Sequence, residues 1–134
     1  MYITALTARS FRNYDSLAVG FSPGVNIIVG ANAQGKTNLL EAVHFLATGR
    51  SHRAGRDGEL VKWGRDLAFL RGEVSSFGGS RSIEAQIPAA GRKSIKVDGT
   101  ELRRLSDLFG IFQIVMFTPD DLQLIKGSPG LRRR

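Results

Sequence analysis

The chain contains no cysteine, which excludes a disulfide framework and any zinc site built on thiolates. Long hydrophobic runs are missing too. No apolar stretch reaches the length of a membrane span, and the first residues lack the charged-then-apolar pattern of a secretion signal. The plain reading is a soluble cytoplasmic protein with no membrane partner. Acidic residues are outnumbered, 12 against 19 basic ones, and the net charge of +7 favours a polyanionic partner, nucleic acid first. The two histidines, His44 and His52, lie eight apart with no carboxylate in pattern, which argues against a metal site; His44 reads as a surface or edge residue of a helix. Absent as well is a hydrophobic strand ending directly in Asp-Glu, the device that P-loop ATPases use to hold Mg²⁺ and activate water. Asp107-Leu108-Phe109-Gly110 imitates the D-x-x-G of GTPases, but no N-K-x-D guanine-reading motif follows, so it reads as a helix end.

What is present is more pointed. Gly30-Ala31-Asn32-Ala33-Gln34-Gly35-Lys36-Thr37 reads G-x-x-x-x-G-K-T, the pattern of a loop that wraps nucleotide phosphates. Small residues let successive backbone N–H groups converge on phosphate oxygens, and Gly30 and Gly35 supply backbone angles that other residues resist. Lys36 sets a point charge against the β- and γ-phosphates, and the Thr37 hydroxyl is a natural Mg²⁺ ligand. The motif needs a strand before it and a helix after it. Val25-Asn26-Ile27-Ile28-Val29 is short and nearly all apolar, as a buried parallel strand would be. Leu39, Val43 and Leu46 repeat at helical spacing beyond Thr37, and the start of that helix would aim its dipole at the phosphates.

The remaining elements follow from periodicity and turn chemistry. Tyr2 to Ala8 is strand-like, and Leu17, Val19 and Phe21 alternate, so two strands flank a turn around Arg12-Asn13-Tyr14-Asp15. Gly49 ends the first helix, and residues 51–66 read as a loop with one short helix near Leu60. Leu67 to Val74, Ser82 to Ile87 and Ser94 to Val97 predict an antiparallel meander over about 67–98, with Asp98-Gly99 as a hairpin turn. Glu101 to Phe109 reads as an amphipathic helix with Leu102, Leu105 and Leu108 inward, and Ile111 to Phe117 as a second buried strand. Thr118-Pro119-Asp120-Asp121 reads as a helix cap with acids beside the positive dipole end. A metal role for Asp120 competes with that capping role. Ser128-Pro129 reads as a further helix start, so the chain reads as the front of something longer.

Two other features invite a functional reading beside a bland one. Arg50, Arg53 and Arg56 follow the phosphate-loop helix, where the connection would either swing back toward the nucleotide or stay a solvated basic loop. Trp63 reads as satellite core rather than as a platform for stacking bases.

Taken together, Ser10-Phe11-Arg12-Asn13-Tyr14, Gly24-Val25-Asn26, and Gly30 to Asn38 running into Leu39-Leu40-Glu41-Ala42 resemble the RecF family, bacterial DNA replication and repair ATPases related to the SMC proteins. Phe117-Thr118-Pro119-Asp120-Asp121-Leu122, Lys126-Gly127-Ser128-Pro129 and Arg132-Arg133-Arg134 are similar to that family as well. The resemblance implies an α/β fold, the N-terminal part of an ABC/SMC-like P-loop NTPase head, with helical lobe, signature motif and acidic strand outside residues 1–134. It implies ATP and Mg²⁺ as cofactors, with the nucleotide held by residues 30–38. Arg12 and Asn13 match positions that line the nucleotide, and Arg53 matches an arginine that reaches toward the γ-phosphate. It further implies an ATP-dependent homodimer of the full-length protein, binding to DNA at single-strand/double-strand junctions, and partners of the RecR and RecO type. No catalytic residue is assigned within residues 1–134, and these residues alone are expected to be inactive. The residues by themselves leave open another P-loop enzyme, such as a nucleotide kinase or GTPase, and a non-enzymatic nucleic-acid-binding module.

Overall fold

Among the described residues, alternation of apolar and polar side chains builds one antiparallel sheet, and one long helix closes its apolar face. The computed structural model describes residues 1–28 and 33–117, without the side chains of Ala33 and Gln34. Its strands are β1 (Tyr2–Phe11), β2 (Tyr14–Gly20), β3 (Leu67–Ser76), β4 (Gly79–Pro88), β5 (Ser94–Val97) and β6 (Thr100–Glu101). They run in the order β2-β1-β3-β4-β5-β6, and every pairing is antiparallel. Ala68, Leu70 and Val74 of β3, Ile83, Ala85 and Ile87 of β4, and Ile95 and Val97 of β5 share the buried face, as a period of two requires. β1 buries Leu6 and Ala8 and then Phe11. The parity changes at Ser10, whose φ of +52° turns the strand end over.

The helix α1 (Ala33–Thr48) lays Leu39, Ala42, Phe45 and Leu46 onto this face, a stripe at spacings of three and four. Gly49 terminates it: its φ is +75°, its N–H donates to the Phe45 carbonyl at 2.6 Å, and a Cβ there would meet Leu105 Cδ1 at 2.1 Å. The chain then passes through a 3₁₀ turn at Asp57–Leu60 and is tied to the end of β1. Arg12 N donates to Leu60 O and Lys62 N to Ser10 O, both at 2.7 Å. This tie brings the loop after α1 back beside the β1–β2 turn.

The meander and its turns lie where the sequence places them. Asp98 and Gly99, with φ of +52° and +86°, make the two-residue turn between β5 and β6. Four expectations are corrected. Residues 25–28 are not a buried strand: among the described residues they join no ladder, and Val25 is 89% exposed. A parallel strand takes its hydrogen bonds from parallel neighbours, and every strand pairing described here is antiparallel. Ile111 to Phe117 likewise forms no strand within the described residues; Phe112 is buried, but Val115 is 85% exposed. Residues 101–109 do not form one helix. Leu102 N donates to Ile95 O at 2.8 Å, which keeps the chain extended past β6, and only a 3₁₀ turn at Leu105–Leu108 follows. Leu108 is buried there, with Leu102 and Leu105 packed partly against the core. Trp63, finally, is 97% exposed and is not satellite core, because the backbone tie at Lys62 holds it on the outer side of the loop.

Candidate nucleotide site

The first turns of α1 carry Lys36, Thr37 and Asn38, and three separate segments converge on the face of the helix that continues to Glu41. Glu41 is the centre of this convergence. Its side chain is completely buried, although the helix pattern alone would let a glutamate face solvent. Arg12, on the β1–β2 turn, grips it with two parallel hydrogen bonds, Nε to Oε1 at 2.8 Å and Nη2 to Oε2 at 2.9 Å. Arg53 Nη2 donates to Glu41 Oε1 at 2.7 Å and to Asn38 Oδ1 at 2.6 Å. Ser51 Oγ donates to Glu41 Oε2 at 2.6 Å. Asn38 Nδ2 donates to Asn13 Oδ1 at 2.7 Å, so Asn13 joins the same network.

Electrostatics follow from the geometry. Burial pushes the Glu41 carboxyl up, but the hydrogen bonds from Arg12, Arg53 and Ser51 outweigh it and hold the group down at about 2. Its partner Arg12 is raised, first through the hydrogen bond to Glu41. Glu41 is therefore ionised at neutral pH, and one carboxylate faces two guanidiniums. About one positive charge is left over beside the start of α1, where the helix dipole already favours an anion. Arg12 keeps 26% and Arg53 35% of the side-chain surface exposed, so both can meet a ligand from the solvent side. Arg12 also has a φ of +52°, a conformation that L side chains rarely adopt.

The structure thus gathers Arg12, Asn13, Asn38 and Arg53, four of the residues that the sequence points to, around one helix start. Arg50 and Arg56 stay outward. Glu41 escaped the sequence reading, since a glutamate in mid-helix is ordinary; the signal available was its place four residues before Phe45, on the helical face that carries the core. Gly30 to Asn32, Thr118 and Asp120, with the expected cap and the basic end at 132–134, lie outside the described residues, as do the side chains of Ala33 and Gln34. Among the described residues no cluster of three or more His, Cys, Asp or Glu side chains is placed to hold a metal ion. His44 and His52 do meet, edge to face at 5.1 Å between ring centroids, which their spacing in sequence did not announce. No helix among the described residues is long and apolar enough to cross a membrane.

Residues 5–120 match the family described as AAA domain. The chain belongs to that family. Its relatives within this broad group are specific. Over all 134 residues the chain is 50% identical to the DNA replication and repair protein RecF of Halalkalibacterium halodurans, and 46% identical to that of Clostridium acetobutylicum. It spans 36% and 37% of those two proteins, about a third of the length of the curated relatives it matches. Among solved structures, the recombination mediator protein RecF-ATPrS in the RecFOR pathway superposes with a TM-score of 0.88 at 39% identity, over 98% of this chain and 36% of that one. A structure from work on ATP-driven dimerization and DNA stimulated activation of SMC ATPases superposes with a TM-score of 0.81 at 27% identity, over 99% of this chain and 96% of the other. The resemblance to RecF and the P-loop head fold expected from it are borne out by these relatives, and the chain corresponds to the N-terminal part of RecF.

Proposed function

We propose that this AAA domain is the ATP-binding part of a cytoplasmic DNA replication and recombination-repair ATPase of the ABC/SMC type. The observation that carries this reading is the convergence of Arg12, Asn13 and Arg53 on Asn38 and Glu41, directly after Lys36 and Thr37 on the same helix. Residues 30–38 wrap the phosphates, Arg12 and Asn13 line the nucleotide, and Arg53 swings from Asn38 to the γ-phosphate. The donor chemistry suits both cofactors. Surplus positive charge beside a helix start fits a polyphosphate, and Mg²⁺ needs little from the protein beyond the Thr37 hydroxyl, since it takes most of its oxygens from phosphate and water. Asp120 is the second oxygen donor in this reading. Mg²⁺ neutralises charge on the phosphates, and the residues named here bind and orient them.

Binding of ATP joins two copies of the full-length protein, and the dimer clamps DNA at single-strand/double-strand junctions with mediators of the RecR and RecO type. The similarity to RecF and to an SMC ATPase supports this. Residues 1–134 alone do not turn over ATP in this reading. The phosphate loop supplies ground-state binding, whereas positioning the attacking water takes the hydrophobic strand ending directly in Asp-Glu that residues 1–134 lack. The test is to measure self-association and affinity for a junction DNA by the full-length protein, each with ATP, with ADP and with no nucleotide. ATP should raise both. DNA binding that ignores nucleotide would instead identify a basic module held to DNA by counterion release alone.

A further inference from the structure

The nucleotide reading leaves Glu41 with no direct task. A buried carboxylate is unfavourable unless it is paired and fully bonded, and an apolar residue would fill the same space more simply. Glu41 accepts four hydrogen bonds, two on each oxygen: Arg12 Nε and Arg53 Nη2 on Oε1, Arg12 Nη2 and Ser51 Oγ on Oε2. That fills the capacity of a carboxylate, so Glu41 has no lone pair left for a ligand or for an attacking water. Its donors come from two segments that the fold brings together, the β1–β2 turn and the loop after α1. Ser51 extends the hold further, because its Oγ also accepts the backbone N–H groups of Arg53 at 3.0 Å and Ala54 at 2.9 Å. One carboxylate therefore sets the path of the Arg53 backbone as well as the direction of its guanidinium.

We propose that Glu41 is a positioning residue that holds Arg12 and Arg53 at the start of α1 in the arrangement by which the site tells a nucleoside triphosphate from a diphosphate. This rests on the reading that Arg53 meets the γ-phosphate. Asn38 supplies the nearby alternative acceptor, so that Arg53 leaves one neutral hydrogen bond for the phosphate while its second anchor on Glu41 stays in place. Loss of the carboxylate frees Arg53 from this arc and lets the loop from Ser51 drift. Substitution at Glu41 then copies substitution at Arg53 without touching nucleotide.

A double-mutant cycle in the full-length protein tests this, with ATP and ADP affinities measured by calorimetry for wild type, R53A, E41Q and E41Q/R53A. Glutamine keeps the volume of the side chain but carries no charge and turns an amide donor toward a guanidinium. R53A should weaken ATP by about tenfold or more, the worth of one charge-assisted hydrogen bond, and leave ADP nearly unchanged. E41Q should lower the ATP to ADP affinity ratio in the same way, and the double variant should lower that ratio no further than R53A, because toward the γ-phosphate the two residues act as one unit. Additive losses, or E41Q with the wild-type ratio of ATP to ADP affinity, would overturn the role of Glu41 while leaving that of Arg53 intact. An R53A protein with no ATP-selective loss overturns both together. S51A guards against a Glu41 variant that does not fold, since it removes one of the loop's two bonds to the carboxylate, and the bonds to the Arg53 and Ala54 backbone with it, without changing buried charge. It should lower the ATP to ADP affinity ratio in the same direction, and an unchanged ratio counts against the proposal.

Discussion

The phenol of Tyr14 donates a hydrogen bond to the carbonyl oxygen of Gly35, joining the first residue of β2 to the first turn of α1. The bond spans twenty-one residues of sequence and ties the hairpin to the end of the phosphate motif. Burial also raises the Tyr14 phenol above its ordinary pKa, so it stays a donor through neutral pH. Tyr14→Phe keeps the ring and deletes only the hydroxyl. It should cost about 1 kcal/mol of stability in urea denaturation, the net worth of one such bond, and ATP affinity should weaken with it. Unchanged values for both would mean that the hairpin does not brace the phosphate site.

Lys36→Met should abolish ATP binding by the full-length protein and leave its circular dichroism spectrum unchanged. The ammonium is a charge contact to phosphate, and its loss removes roughly 2–3 kcal/mol or more of charge-assisted bonding. Titration calorimetry decides the matter. Wild-type affinity in the variant would remove the phosphate role from residues 30–37.

Acid should weaken the fold in two windows. Glu41 falls from 4.5 in the unfolded chain to about 2 in the folded one, so its contribution is fully present above pH 4.5 and is lost as pH drops toward 2. The shift corresponds to stability on the order of 3 kcal/mol. His52 acts at higher pH. Its Nδ1 is buried with no hydrogen-bond partner among the described residues, and burial, then the charge of His44, lowers its pKa below 6.5. The folded state therefore prefers the neutral ring, and protonation begins to destabilise it as pH falls through 6.5. Denaturation midpoints from pH 8 to pH 2.5 should show both slopes. H52Q should remove the upper one and E41Q the lower; a profile unchanged by either would refute these assignments.

Gly72→Ala tests how closely α1 sits on the sheet. A Cβ on Gly72 would stand 2.8 Å from Leu46 Cδ1, and because Leu46 is itself fully buried the methyl has little room to move. Overpacking of this kind costs about 1–3 kcal/mol, read as a lower midpoint in denaturant. A variant as stable as wild type would mean that the helix rides higher than the geometry implies.

Short-range chemistry was legible in the sequence. The helical stripe of Leu39 and Leu46, the alternation in β3 and β4 and the turn at Asp98-Gly99 each depend on neighbours a few residues away, and each lies where the pattern places it within the described residues. The resemblance to RecF rested on local motifs as well. Apolar runs were a poorer guide. Val25-Asn26-Ile27-Ile28 and Ile111 to Phe117 have the composition of strands, but a strand exists only where another backbone supplies its hydrogen bonds, and composition carries no information about that partner. Only the tertiary structure decided the centre of the site. Glu41 and Ser51 look like ordinary polar residues of a helix and a loop, and nothing local links them to Arg12, Asn38 and Arg53. They become one network because the loop after α1 is pinned at Leu60 and Lys62 to the end of β1, which closes the three segments around a carboxylate that then has to be fully bonded in order to stay charged inside the protein.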